Sequence, residues 1–235
     1  MKKKILTFSY DDGVVQDRRL IGLLDRYGLK AAFNLNSGCF GQQMMLDFDR
    51  PPFLHQRIRE EEARELYRNH EVAAHTLTHP DLKSLSDEEI IRQTEEDRRA
   101  LEALTGKSVI GFAYPGGKPV YTPHVAEVLR RGTGLKFART VDDTHGFDLP
   151  ADFLTWHPTC FHLSPEIDGL ADRFLAEERD ETMLFYIWGH AYELDWHDKW
   201  EQIEVLFAKL AGHPEIEYAT PCEIYLAVQR GEITR

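Results

Sequence analysis

Short β-prone runs alternate with longer amphipathic runs along the whole chain, and that alternation leaves few folds open. Segments of strand period separated by segments of helical period build a parallel sheet or barrel sheathed by helices. The first strand spans Lys4 to Ser9, and Asp17 to Tyr27 then carries Leu20, Ile21, Leu23 and Leu24 at helical spacing before Gly28 stops it. Ala31 to Leu35 is the second strand. Asn36 to His55, interrupted by Pro51 and Pro52, reads as an irregular surface loop ahead of a helix over Ile58 to Arg68. Val72 to Ala74 is the third strand. Ser86 and Glu89 have the spacing of a capping box, in which each satisfies the other's free backbone donor, and they open a helix that runs to about Leu104 before Gly106. Strand Val109 to Tyr114, helix Pro123 to Arg131, strand Lys136 to Arg139 and an extended stretch from Asp152 to Phe161 follow. Helix Pro165 to Glu178, the apolar strand Met183 to Trp188, helix Asp198 to Ala211, strand Glu217 to Thr220 and helix Pro221 to Gln229 close the chain. Seven alternations without an internal linker predict one α/β domain over residues 1–235, closed or nearly closed into a barrel.

Composition narrows the partners. With 235 residues and 42% hydrophobic content the chain can fill a barrel core. A formal charge of −12, with Lys and Arg scattered among acids, argues against nucleic acid or an anionic membrane as the main partner. No apolar run has the length of a membrane span. Met1-Lys2-Lys3-Lys4 has the basic start of an export signal, but Ile5 to Tyr10 runs straight into Asp11-Asp12 with no apolar core or cleavage site, so a cytoplasmic protein is expected. Cys39, Cys160 and Cys222 are far apart and odd in number, as suits reduced, structural thiols.

Functional side chains of an α/β barrel sit at the carboxyl ends of its strands. Strand one ends in Ser9-Tyr10-Asp11-Asp12-Gly13, strand three in His75-Thr76-Leu77-Thr78-His79, strand four in Pro115-Gly116-Gly117, and the Met183 strand in Gly189-His190. Asp-Asp-Gly alone is also ordinary turn chemistry. The four-residue spacing of His75 and His79 places both imidazoles on one side of a helical turn, where they can share a cation, although a partly buried pair bonded to backbone has the same spacing.

Taken together and in this order, Thr7-Phe8-Ser9-Tyr10-Asp11-Asp12-Gly13, His75 to His79, Tyr114-Pro115-Gly116-Gly117 and Gly189-His190 resemble the polysaccharide deacetylase family (carbohydrate esterase family four), over Ile5 to His190. The first two motifs are specific and the last two loose. The resemblance implies a distorted (β/α)7 TIM-like barrel and a metal-dependent carbohydrate deacetylase. One divalent metal ion, zinc foremost with cobalt, nickel or manganese as alternatives, is implied on Asp12, His75 and His79. It further implies Asp11 as the base that activates water and His190 as the acid, acting on a small N-acetylated sugar or oligosaccharide. Because a Pro-Gly-Gly turn can bring bare backbone close to a substrate, the Gly116 N–H is the expected oxyanion donor. Three protein ligands suit such chemistry because they leave positions open on the cation.

The family's third motif carries an arginine that braces the base, and here that position is Ala113. Arg139 is the candidate replacement, its other reading being a surface ion pair. The fourth motif, an Asp and a Trp that tune the acid, is indistinct: Trp156 offers an aromatic wall, and Asp142, Asp148 or Asp195 a partner for His190. Tyr114, Tyr192 and Trp196, with Trp156 and Arg139, form the expected substrate side, although Tyr192 and Trp196 would equally serve to cap the barrel. Two other functions share these motifs: hydrolysis of a non-sugar amide or ureide, and sugar binding without turnover, which the Ala113 vacancy favours.

Overall fold

The computed structural model describes residues 3–47 and 51–233. The elements in chain order are β1 (Lys4–Asp11), α1 (Asp17–Tyr27), β2 (Ala31–Leu35), β3 (Gln43–Leu46), β4 (Phe53–Gln56), α2 (Glu60–Leu66), β5 (Glu71–Ala74), α3 (Asp87–Thr105) and β6 (Gly111–Ala113). They continue as α4 (Pro123–Gly132), β7 (Phe137–Arg139), β8 (Cys160–Phe161), α5 (Ile167–Ala176), β9 (Met183–Gly189), α6 (Ala191–Trp196), α7 (Trp200–Leu210), β10 (Ile216–Tyr218) and α8 (Pro221–Gln229).

Every residue of β1 is buried, as a parallel strand covered on both faces must be. Among the described residues the main sheet runs β7-β6-β5-β2-β1-β9-β8, with β10 beside the first half of β1. All its pairings are parallel. The segment after β7 turns back to complete the wall. Trp156 pairs with β7 through Trp156 N–H to Ala138 O (2.9 Å) and Thr140 N–H to Trp156 O (3.0 Å), and Thr159 N–H then reaches Tyr186 O on β9 (2.7 Å). The result is a distorted α/β barrel. Its strand ends bring Asp11, His75, Arg139, His162 and His190 to one mouth.

Helix ends follow the expected signals with two differences. Ser86 accepts from Glu89 N–H (3.3 Å), but the Glu89 carboxylate turns to Arg92 instead of back to the cap, so only half of the capping box forms. A complete box forms at α8, where Thr220 N–H donates to Glu223 (2.7 Å) and Glu223 N–H to Thr220 Oγ1 (3.3 Å).

The expected loop over Asn36 to His55 is where the structure departs most. It carries the antiparallel β3–β4 hairpin, paired from Gln43↔Gln56 to Leu46↔Phe53. Ile58, expected to be helical, donates its N–H to Gly13 O (2.8 Å) and accepts from Gly41 (2.8 Å), which holds the hairpin's exit against the β1 turn and delays α2 to Glu60. The expected extended stretch from Asp152 shortens to β8, after a 3-10 turn over Phe153–Thr155. Residues 191–196, to which the sequence reading assigns no element, form the short α6. All three cysteines are free thiols, and no helix among the described residues is long and apolar enough to cross a membrane.

Candidate active site

Asp12, His75 and His79 converge at the mouth. One ligand atom from each lies within 4.8 Å of the others: Asp12 Oδ1 is 4.0 Å from His75 Nε2 and 3.8 Å from His79 Nε2. The two histidines meet without a helical turn. Residues 75–79 form a loop in which Thr76 (φ 70°) and His79 (φ 58°) are left-handed, a conformation costly for a β-branched residue and kept only where the surroundings fix it. They do fix it: Asp97 on α3 accepts His75 N–H (2.9 Å), Asn36 donates to Thr76 O (2.8 Å), and Thr76 Oγ1 accepts His79 N–H (3.1 Å).

The donor set fits a divalent cation. His75 Nδ1–H donates to Ala113 O (2.8 Å), which leaves the Nε2 lone pair facing Asp12 and His79, buried and without a hydrogen-bond partner. An orphaned buried nitrogen costs free energy unless a further group satisfies it. Burial also depresses both imidazoles, His75 to about 4, so each is neutral and ligand-ready at neutral pH. Burial opposes the charge on Asp12, but the His55 hydrogen bond and Arg57 outweigh it and hold the carboxyl well below its ordinary range.

Asp11, its sequence neighbour, faces a different set of groups. Arg139 donates to both of its carboxylate oxygens, at 2.6 Å to Oδ1, and Asn34 donates to the same oxygen (2.7 Å). Arg139 is 1% exposed, so it is no surface ion pair, and it is not among the residues that line the cleft. Burial would raise Asp11; Arg139 first, then His75 and His190, reverse this and keep it ionised. His190 Nε2 lies 3.8 Å from Asp11 Oδ2. The partner of His190 is Glu193 on α6, which faces Nδ1 at 3.2 Å and accepts the His190 backbone N–H (3.2 Å). Burial disfavours the imidazolium, yet Glu193, with Asp11 and Asp12 behind it, raises His190 to about 9. The three aspartates expected in that role are engaged elsewhere: Asp142 with Lys118 (3.5 Å), Asp148 with Arg179 (2.9 Å) and Asp195 with Trp200 Nε1 (2.5 Å).

Asp11, Asp12, His75, His79 and His190 line a cleft of about 400 Å³ together with Tyr114, Gly116 and Tyr192. Gly116 is left-handed (φ 93°) and no atom lies within 4 Å of where a Cβ would sit, so bare backbone borders the cavity. Two expected contacts are displaced. Trp156 is 1% exposed and packs edge-on against Phe137, Phe153 and Tyr186 in a second core cluster, because its backbone is the β-bridge partner of Arg139. Trp196 stacks on Phe53 at 5.7 Å, fastening α6 to the hairpin, and does not line the cleft.

The hairpin contributes what sequence reading missed. His55 Nε2–H donates to Asp12 Oδ2 (3.2 Å), Arg57 donates to Asp12 Oδ1 (3.1 Å) and to Asn36 Oδ1 (2.5 Å), and Met44 and Leu46 complete that wall. The i, i+2 spacing of His55 and Arg57, one face of a strand, was the available signal, masked by Pro51-Pro52. Trp188, at the end of β9, lines the opposite side and is anchored by Nε1–H to Asp143 (2.8 Å). A larger depression of about 780 Å³ lies at the far ends of the strands around Lys3, Lys4 and Met183, where charges such as Lys3 and Asp180 pair in solvent (3.2 Å).

Comparisons with known proteins agree with this architecture. Among solved structures, a protein from Mycobacterium smegmatis is 15% identical with a TM-score of 0.66, over 99% of this chain and 92% of that one. A family 4 acetyl xylan esterase from Clostridium thermocellum, in complex with a cobalt ion, is 17% identical with a TM-score of 0.58, over 98% and 93%. A family 4 pseudoenzyme from Bacillus anthracis is 19% identical with a TM-score of 0.53, over 95% of this chain but 66% of that one, so the chain spans just under two thirds of that relative's length. At these identities the likeness concerns the fold. A search of curated proteins finds no match. The sequence profile of the family described as polysaccharide deacetylase covers residues 1–137, more than half of the chain and both specific motifs, and the protein therefore belongs to the polysaccharide deacetylase family.

Proposed function

We propose that the protein is a divalent-metal-dependent deacetylase that hydrolyses the acetamide of an N-acetylated sugar or oligosaccharide. The observation that carries this reading is the partnerless, buried Nε2 of His75, aimed at Asp12 and His79 beside an ionised Asp11. Asp12, His75 and His79 would hold the cation, and two imidazoles with one carboxylate suit zinc, with cobalt, nickel or manganese also accommodated. Bound there, it supplies a Lewis acid that acidifies water and polarises a carbonyl.

The remaining work falls to the chain's own groups. Asp11, ionised and oriented by Arg139 and Asn34, takes the proton from the attacking water. The Gly116 N–H donates to the oxyanion that develops on the acetyl carbonyl. His190, protonated through its pairing with Glu193, gives its proton to the departing amine, so that acetate and a free amino sugar leave. Tyr192 and Trp188 give the cleft the aromatic surface on which a pyranose ring stacks.

The vacancy at Ala113 argued for a barrel without turnover, and one relative of this fold is itself described as a pseudoenzyme. Arg139 supplies a guanidinium to Asp11 from the neighbouring strand, which supports catalysis. The zinc-loaded protein should release acetate from chito-oligosaccharides, N-acetylglucosamine conjugates or acetylated xylo-oligosaccharides. Tight sugar binding with no acetate from any of these, unchanged by Asp11→Asn, would overturn the proposal in favour of a binding barrel.

A further inference from the structure

Glu193 Oε2 serves two imidazoles. His190 Nδ1 faces it at 3.2 Å from one side and His162 Nε2 at 3.0 Å from the other. His162 follows β8 as His190 follows β9, and the β8–β9 register, Phe161↔Trp188, sets His162 beside Gly189, one residue before the acid. Its N–H donates to Trp188 O (2.7 Å). Its ring lies so close against β9 that a Cβ on Gly189 would stand 2.3 Å from Cδ2, which makes glycine obligatory there while His162 keeps this pose. Tyr10 and Phe161 pack edge-on against the other sides of the ring.

The tautomer follows from these contacts. An ionised Glu193 requires a donor at Nε2, so the neutral His162 ring leaves its Nδ1 lone pair buried with no partner. A core position that merely filled space would be served as well by an apolar ring without that penalty, so the Nε2 contact is the feature that accounts for a histidine. The charged and titratable groups around the two rings are Glu193, Asp11, Asp12 and His197, with Tyr10 against His162 and Tyr192 against His190.

We propose that His162 is a positioning residue for the acid: its Nε2–H fixes the carboxylate oxygen that His190 pairs with and takes up part of that oxygen's charge, so that His190 is a stronger proton donor than a lone Glu–His pair would make it. The inference rests on the proposed role of His190 for its consequence in catalysis, but not for its physical content. His162→Phe keeps ring volume and removes the donor, and Glu193 then pairs with His190 alone.

The test uses the zinc-loaded protein in two arms. Titrating His190 by NMR of labelled imidazoles should show its pKa rising by about 0.5–1 unit in His162→Phe, and His162→Gln, whose amide reaches Glu193, should restore the wild-type value. The alkaline limb of kcat/KM against pH should move up by the same amount, with kcat in the plateau falling about 3- to 10-fold, in proportion to the weaker acid. An unchanged His190 titration in a folded His162→Phe protein overturns the inference. Should that variant fail to fold, His162→Asn, too short to reach Glu193, takes its place and must differ from His162→Gln in the same direction. A shifted titration with an unmoved pH–rate profile would leave this inference standing and remove His190 as the acid.

Discussion

Asp11 and Asp12 are consecutive residues with opposite supports. Asp11 is held by the barrel itself, through Asn34 at the end of β2 and Arg139 at the end of β7. Asp12, at a left-handed φ of 82°, is held by the β3–β4 hairpin, through His55 and Arg57. Both carboxyls are buried and both are ionised, but the first faces a guanidinium, while the second turns one oxygen to two neutral imidazoles. The two carboxyls of one dipeptide thus acquire different surroundings, as the proposed split into proton acceptor and ligand requires, because each residue takes its neighbours from a different part of the chain. The backbone alternation of a strand end sends the two side chains apart, and the barrel and the hairpin do the rest.

The strongest way to break that comparison is to remove each carboxylate in turn. Asp11→Asn should lower acetate release by about 10²–10⁴-fold while the protein still binds one zinc, since only the proton acceptor is lost. Asp12→Ala and His75→Ala should lose the zinc along with the activity. Zinc content and acetate release measured on the same samples decide it, and equal metal loss in all three variants would erase the proposed division.

The Arg139 seat comes next. Arg139→Gln leaves a buried carboxylate without its counter-charge, which should cost about 3–5 kcal/mol in urea unfolding. The sign of the pH effect follows from the direction of the shift. Asp11 is depressed in the folded protein, so its contribution to stability is present above the unfolded value and lost as pH falls through the folded one. Without Arg139 only His75 and His190 oppose burial and the folded pKa rises, so the acid limb of kcat/KM should move to higher pH and the share of stability that Asp11 loses on acidification should shrink. An unmoved acid limb and an unmoved urea midpoint would show that Arg139 is not what keeps Asp11 charged.

How far the sequence can be read follows the same divide. β1, β5 and β9, with the motifs at their ends, were legible because a strand's hydrophobic run and the polar residues after it are local signals. The support from the hairpin was not, because Pro51-Pro52 and the polar stretch around them look like a loop, and antiparallel pairing between Gln43 and Gln56 leaves little trace in such short strands. His75 and His79 were paired for the wrong local reason: they meet through left-handed turns fixed by Asn36 and Asp97, a long-range arrangement that spacing alone cannot express. Glu193 was passed over because the family pattern directs attention to aspartates, although its position three residues after His190 is plain in the sequence.

On the hairpin side a smaller effect is expected, because His55 contacts the proposed ligand Asp12 and would not touch the cation itself. It ties up Asp12 Oδ2 and so leaves Oδ1 as the oxygen directed at the two imidazoles. Groups that orient a ligand in this way typically change metal affinity by about 10–100-fold. His55→Ala should therefore weaken zinc binding within that range, read by competition with a chelator, and should leave kcat at saturating zinc close to that of the wild type. Wild-type affinity in the variant would mean that the hairpin shapes the cleft without tuning the metal centre.

The smallest effect at neutral pH belongs to Glu193, and it tests whether the acid sits on the Asp11 side of the comparison. His190 is raised to about 9, so it is protonated below that value and loses its proton, and with it the capacity to donate, as pH rises through it. A cation on Asp12 adds positive charge nearby and lowers this value, so the alkaline limb of kcat/KM for the zinc-loaded protein should lie no higher than about 9. Glu193→Gln removes the partner that does most to sustain the imidazolium and should bring the limb down by about one unit or more. At pH 7 that amounts to only a few-fold loss, and it should widen steadily as the solution is made more alkaline, with zinc affinity unchanged. If the loss were instead uniform across pH, Glu193 would be orienting the ring without setting its charge; if zinc affinity fell in parallel, the acid and the metal centre would not be the separable halves that the two aspartates suggest.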